Sequence, residues 1–172
     1  MKNDHLVPKE GILPFDPALQ SPDTGVVFIG RIHTPWQNRS ECPRNVRIAR
    51  ERGQPAHIEI DELFRPGLRG LEGISHIHVL YWLHEAQRNM VMRASDHSPG
   101  PTGIFALRSP VRPNPIGLAV VKVTKLDIAA GRIDIDGIDC IDGTNLLDIK
   151  PYLPSVDAYG TADPGWQGKP VK

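Results

Sequence analysis

Glycine and proline recur so often that no long helix can run through this chain. Sixteen glycines and 17 prolines stand among 172 residues. In a helix interior each glycine costs about 1 kcal/mol and each proline about 3 kcal/mol relative to alanine. Between these breakers lie short apolar runs with a period of two, the period of a half-buried strand. Val26 to His33 is β-branched and aromatic and is bounded by Gly25 and Pro35. Ala56 to Asp61 alternates, Ile74 to Leu83 is a longer apolar run, and Gly103 to Leu107 is a short one. Leu118–Ile128 and Arg132–Ile138 flank Ala129-Ala130-Gly131, a hairpin signal. Only 41–52 and a turn over 61–71 look helical. The pattern predicts a mainly β fold, a barrel or sandwich of about six short strands. Four prolines and no sustained period mark 1–23 as an N-terminal arm. Residues 24–157 form the predicted domain, and 158–172 read as a C-terminal tail.

Charge and cysteine content narrow the partners. Lys plus Arg and Asp plus Glu number 20 each, so the formal net charge is zero and a whole-surface polycation is excluded. Any nucleic-acid contact must therefore use a local patch. Arg39, Arg44, Arg47, Arg50 and Arg52 offer one at partly helical spacing, suited either to phosphates or to an ordinary solvated helix face. No apolar run reaches the roughly 18 residues of a membrane span, and the N-terminus leads into no signal-peptide core, so no membrane partner is expected. Cys42 and Cys140 lie in no paired spacing, which points to a reducing cytoplasm and to small buried hydrophobes.

Three segments could carry chemistry. In the stretch from Phe105 to Leu118, Pro110, Pro113 and Pro115 stiffen the backbone in advance. Arg108 and Arg112 supply forked donors for a carboxylate or phosphate, Asn114 can read an amide or base edge, and Gly117 would let a ligand approach the main chain. A rigid crossover with two solvated arginines is the alternative. In the stretch from Asp139 to Pro154, Asp142-Gly143 signals a turn. Asp148 and Lys150 then share a strand face close to Tyr152, as a site rim or a charge-guarded edge. After His33, the Thr34-Pro35-Trp36 turn presents a tryptophan, either as a stacking platform or as a packed ring. Glycine signatures of dinucleotide and phosphate loops are missing, which argues against a Rossmann domain. His76, His78 and His84 could share a face, but no further ligands stand at a metal-binding spacing. They read as hydrogen-bonded histidines at a core edge, and no metal is expected.

These segments, in order, resemble the TsaA-like (YaeB/TrmO) family of S-adenosylmethionine-dependent tRNA methyltransferases. The resemblance rests on the stretches Phe105–Ala119 (FALRSPVRPNPIGLA), Asp139–Pro154 (DCIDGTNLLDIKPYLP), Gly30–Trp36 (GRIHTPW) and Gly67–Glu85 (GLRGLEGISHIHVLYWLHE). It implies a six-stranded antiparallel β-barrel with short helices, a homodimer, and S-adenosyl-L-methionine as cofactor. The implied activity is methylation of N6 of threonylcarbamoyl-adenosine beside the anticodon in tRNA. By the same resemblance the cofactor contacts are Thr34, Pro35, Trp36, His84, Glu85, Arg108, Leu118, Leu147, Asp148, Ile149 and Lys150. Arg112 and Asn114 would serve the substrate or support their loop. Tyr152, Asp148 and His84 are the candidates for activating the acceptor nitrogen. Two other readings stay open: a methyltransferase of the same fold with another substrate, and a non-catalytic barrel that binds S-adenosylmethionine or a nucleoside.

Overall fold

The computed structural model describes residues 25–94 and 100–165. The proposed arm, and the end of the tail, lie outside these residues. Six strands close into an antiparallel barrel. They are β1 (Gly30–His33), β2 (Ala56–Ile60), β3 (His76–Trp82), β6 (Ile116–Asp127), β7 (Arg132–Ile135) and β8 (Thr144–Pro151). Around the barrel the order is β1, β2, β7, β6, β3, β8, and β8 returns to pair with β1. The remaining strands, β4 (Met92–Arg93) and β5 (Thr102–Gly103), pair only with each other. The expected hairpin is present: Gly131 turns at φ 73° and donates its N–H to the Ile128 carbonyl, while Asp127 accepts from the Ala130 N–H.

The chain divides into two compact units. Gly25–His84 and Ile116–Asp157 build the barrel unit, and among the described residues the second includes 85–94, 100–115 and 158–165. The predicted domain of 24–157 therefore contains an inserted unit, a division that period-two patterning did not reveal. Where Gly103–Leu107 reads as an apolar strand segment, the chain instead leaves β5 for a 3-10 turn over Ile104–Ala106. The predicted helix is shorter than its pattern. It is α1 (Val46–Arg52), capped by the Asn45 side chain at its start and by Gly53 at φ 60° at its end.

Period two decides what fills the barrel. Ile32, Ile58, Ile77, Val79, Val121, Ile133 and Leu146 are completely buried, while their strand neighbours face outward. Each such side chain contributes about 1.5–3 kcal/mol through burial. Tyr81 and Gly117 lie opposite each other on β3 and β6. A Cβ at Gly117 would stand 2.2 Å from the Tyr81 ring, so the glycine makes room for the tyrosine and offers no backbone to a ligand. This corrects the role expected for Gly117. The phenol then donates to Asp139 at 3.1 Å. At Gly30 a Cβ would lie 2.0 Å from the Glu59 carbonyl oxygen, which keeps β1 close against β2.

After β8 the short helix α2 (Pro154–Asp157) folds back on the barrel. Asp157 accepts from the Leu153 N–H at 2.7 Å and from His78 Nε2 at 3.2 Å. The backbone hydrogen bond chiefly, with His78 adding to it, holds the Asp157 carboxyl below the ordinary carboxylate value.

Three outcomes follow. Gly117→Ala should lower the urea unfolding free energy by about 1–3 kcal/mol, the usual effect of overpacking. Burial at 1% exposure pushes the Cys140 thiol well above its ordinary value. Cys140 should therefore resist alkylation in native buffer and react only on unfolding, as read by peptide mass spectrometry. Because the folded pKa of Asp157 is depressed, its contribution is complete above the ordinary value of 3.8 and is lost as pH falls through the folded pKa. Protection of the Leu153 amide from hydrogen exchange should follow that curve, and Asp157→Asn should leave it weakly protected at every pH.

Candidate functional site

A row of outward-facing residues crosses three neighbouring strands of the barrel. Leu80 on β3 lies opposite Leu118 on β6 and opposite Asp148 on β8. One step along, His78 lies opposite Lys150. Leu118 is 49% exposed, although its neighbours Gly117 and Ala119 are buried. The β3–β8 register shifts between Leu80 and Tyr81, leaving Leu147 as the extra residue of a bulge. Beyond the bulge Ile149 packs against the core, while Asp148 and Lys150 point away from it and pair at 2.7 Å. Both partners of that pair are largely exposed. The next residue but one, Tyr152, hydrogen-bonds through its N–H to the His76 carbonyl and sets its ring 5.4 Å from that of His78. The barrel thus gathers Leu118, Asp148, Lys150 and Tyr152 from the expected set, with Leu80 and His78 added. The two additions were missed because cross-strand register, invisible in a single sequence, is what brings them there.

Thr34, Pro35 and Trp36 lie elsewhere on the barrel, where β1 ends beside the turn that leads into β8. The Thr34 hydroxyl donates to the Cys140 carbonyl, and the Trp36 indole N–H donates to the Ile138 carbonyl at 3.2 Å. Both residues are nearly buried, and the Arg52 guanidinium covers the indole ring at 5.1 Å. Of the two readings of Trp36, the packed one holds. Thr34 and Trp36 fasten the 138–143 segment to the end of β1. Asp142 and Gly143 complete the clasp by donating their N–H groups to the Trp36 and Ile32 carbonyls. Pro35 is exposed and lines an open pocket of about 460 Å³ with His33, Pro55, His57, Arg132 and Asp142. Desolvation there, with Arg132 and His33 adding, holds the His57 imidazole below its ordinary value.

His84 is exposed just past β3, its N–H donating to the Trp82 carbonyl. Glu85, the first residue of the second unit, is also exposed. Within that unit Arg112 is bound to its own loop. Its guanidinium donates to the carbonyls of Ser109, Ile104 and Leu107, the last at 2.6 Å. These three hydrogen bonds tie its loop together. Pro115 is completely buried, whereas Arg108 and Asn114 are exposed on the same stiff loop.

The arginine-rich stretch before β2 does not form a free basic stripe. Arg47 pairs with Glu51, and Arg50 pairs with Asp136 at 3.1 Å and donates to the Val120 carbonyl. Arg52 donates to the Glu41 carbonyl besides covering Trp36. Of the three histidines considered for a metal, His78 pairs with Asp157 and His76 meets the Ser75 hydroxyl at 2.9 Å. Cys42 is half-buried rather than buried.

Residues 31–158 match the family described as the tRNA-methyltransferase O N-terminal domain. Over 129 residues the chain is 43% identical to the "Probable S-adenosyl-L-methionine-binding protein VirR" of Rhizobium radiobacter, covering 75% of this chain and 71% of that protein. It is 34% identical over 129 residues to an S-adenosyl-L-methionine-binding protein of Archaeoglobus fulgidus, covering 75% of this chain and 89% of that one. The crystal structure of TrmO from Pseudomonas aeruginosa superposes with a TM-score of 0.66 at 33% identity. That match covers 84% of this chain but 62% of the TrmO chain, so the protein spans less than two thirds of that relative's length. A closed six-stranded barrel matched over 128 residues makes this chain a member of the tRNA-methyltransferase O N-terminal domain family.

Proposed function

We propose that this protein binds S-adenosylmethionine and transfers its methyl group to N6 of threonylcarbamoyl-adenosine beside the anticodon in tRNA. The observation that carries the reading is the exposed Lys150–Asp148 pair beside the apolar Leu80–Leu118 step. S-adenosylmethionine is a zwitterion joined to a nucleoside. Its carboxylate suits Lys150, its ammonium suits Asp148, and its adenine suits an apolar wall such as Leu80 and Leu118 supply. An exposed ion pair is worth at most about 1 kcal/mol, so a ligand with both charges can replace it at little cost. The names of the binding-protein relatives support the cofactor, and the name of the family supports methyl transfer to tRNA.

The reaction is an in-line displacement. The acceptor nitrogen forms a bond to the methyl carbon as the carbon–sulfur bond breaks, and the sulfonium leaves as a neutral thioether. The acceptor proton must go to a base or to solvent. The protein's main contribution is alignment, which can supply several kcal/mol of the barrier reduction. A nitrogen between adenine and a urea carbonyl is a weak nucleophile, so a group that accepts its proton assists. In this reading Tyr152, held beside His78, serves that role, with Asp148 and His84 as the other candidates. Pro35 and Glu85 remain contact candidates, and Thr34 and Trp36 anchor the turn that carries Pro35. A homodimer in the cytoplasm is the working form we assign.

A second reading, cofactor binding without transfer, is favoured by relatives whose names describe binding alone. One pair of experiments separates the two. Titration calorimetry with S-adenosylmethionine should show saturable binding. Lys150→Met should weaken it about 10- to 100-fold, the range for loss of a hydrogen bond to a charged group. Nucleoside mass spectrometry of tRNA incubated with protein and cofactor should then show methylated threonylcarbamoyl-adenosine, abolished by Arg108→Ala. Binding with no methylated nucleoside in any tRNA would establish the second reading. No saturable heat at millimolar cofactor would overturn both.

A further inference from the structure

The barrel carries a second chemical cluster, and it lies at the pocket beside the end of β1. His33 and His57 are a direct cross-strand pair on β1 and β2, and their rings stack at 4.8 Å with 21° between planes. Glu59 follows His57 by two residues and so shares its outward face, while Ile58 and Ile60 fill the core. One ligand atom from each of the three lies within 4.8 Å of the others. Among the described residues this is the one grouping of three or more His, Cys, Asp or Glu side chains so placed. We propose that His33, His57 and Glu59 bind a zinc ion, with a fourth position open to the pocket.

The His33–Glu59 distance and the hydrogen bonds behind His33 favour the assignment. In a tetrahedral site with bonds of about 2.0–2.1 Å, neighbouring ligand atoms stand about 3.3 Å apart. His33 Nε2 and Glu59 Oε2 are already 3.4 Å apart. The other ring nitrogen, His33 Nδ1, lies 3.2 Å from Asp142 Oδ1. With zinc on Nε2, the Asp142 carboxylate is placed to accept from Nδ1–H, the usual support of a zinc-bound histidine. Asp142 is itself anchored, because the Thr34 N–H donates to the same oxygen at 3.1 Å.

Of the flanking cations, Arg132 lines the pocket but its guanidinium is turned to Asp134. Arg31 and Arg132 lie opposite Glu59 on the two neighbouring strands. Arg31 donates to the Gly143 carbonyl and to Asn145, and Arg132 pairs with Asp134 at 2.8 Å. Glu59 is therefore directed at His33. Pro35 and Pro55 hold the rim of the pocket, which leaves room for water or an anionic oxygen as the fourth ligand. None of the three ligands belongs to the Leu80–Leu118–Asp148–Lys150 row, and zinc binding can be read without the proposed methyl transfer.

The test uses the full chain without an affinity tag, stripped with chelator and then titrated with zinc chloride in a calorimeter. One zinc per chain should bind, and the cobalt(II) form should show the intense visible absorption of a four-coordinate site. His57→Ala and Glu59→Gln should each weaken zinc binding at least about tenfold, whereas His76→Ala should not. Zinc should raise the melting temperature of the wild type but not of His57→Ala. The melting temperatures of the two metal-free proteins report whether the variant is folded. Absence of saturable binding, or an unchanged affinity in both His57→Ala and Glu59→Gln, would overturn the assignment.

Discussion

Pairing of β8 with β1 is the contact on which the other features of the barrel depend, because it converts a six-stranded sheet with two open edges into a closed one. An open edge leaves a row of unpaired main-chain groups, and closure removes it. The register of this pair is short, running only from Gly30–Leu146 to Ile32–Thr144. It is lengthened at one end by the clasp in which Asp142 and Gly143 donate to the Trp36 and Ile32 carbonyls, and at the other by the Ile29 N–H on the Leu146 carbonyl. The buried Thr34 and Trp36 side chains belong to that closure. Their polar atoms have partners within the barrel, which explains how a turn that reads as a ligand platform serves as a fastener.

Much of the barrel can be read from alternation alone. The β2 strand, the long β3 strand and the β6–β7 hairpin follow from apolar residues two apart and a glycine where the chain must turn at positive φ. What alternation cannot show is register. The Leu118–Leu80–Asp148 row joins residues from three strands, and only the pairing makes them neighbours. His33 and His57 are likewise 24 positions apart in sequence and directly opposed in the sheet. Spacing alone therefore raises only His76, His78 and His84 and reads them as core-edge histidines; His76 and His78 indeed have partners outside any cluster. The role of Gly117 was hidden for the same reason, since only Tyr81 across the strand pair explains it.

Arginine use separates composition from chemistry in a second way. Five arginines between positions 39 and 52 suggest a cationic stripe, but Arg50 and Arg52 each donate to a main-chain carbonyl. Arg112 donates to three carbonyls within its own loop. A guanidinium has five N–H donors in a planar fork and can satisfy several carbonyls where no strand or helix does. In a chain this rich in proline many N–H groups are missing and many carbonyls fall outside regular pairing. Arginine then acts as a cross-link of irregular backbone, and its sequence density overstates the charge available to an outside partner.

The width of the barrel decides where any ligand can bind. A barrel even of eight strands has an interior just wide enough for side chains to fill, and this one has six. Ile32, Ile58, Ile77, Val79, Val121, Ile133 and Leu146 are completely buried in the core cluster. Chemistry is therefore confined to the outward-facing residues, every second position on each strand. A regular β8 would keep every even-numbered side chain from Thr144 onward turned inward, Asp148 and Lys150 among them. The bulge at Leu147 reverses the alternation, so that Ile149 packs on the core and the Asp148–Lys150 pair faces out beside Leu80. One extra residue thus converts the second half of a core strand into a surface bearing an acid and a base. Bulges cluster at functional sites for this reason, since they re-aim a side chain without opening the sheet. In this barrel the irregularity in β8 is the structural step that turns the Asp148–Lys150 pair outward, on a fold whose inside is packed with apolar side chains.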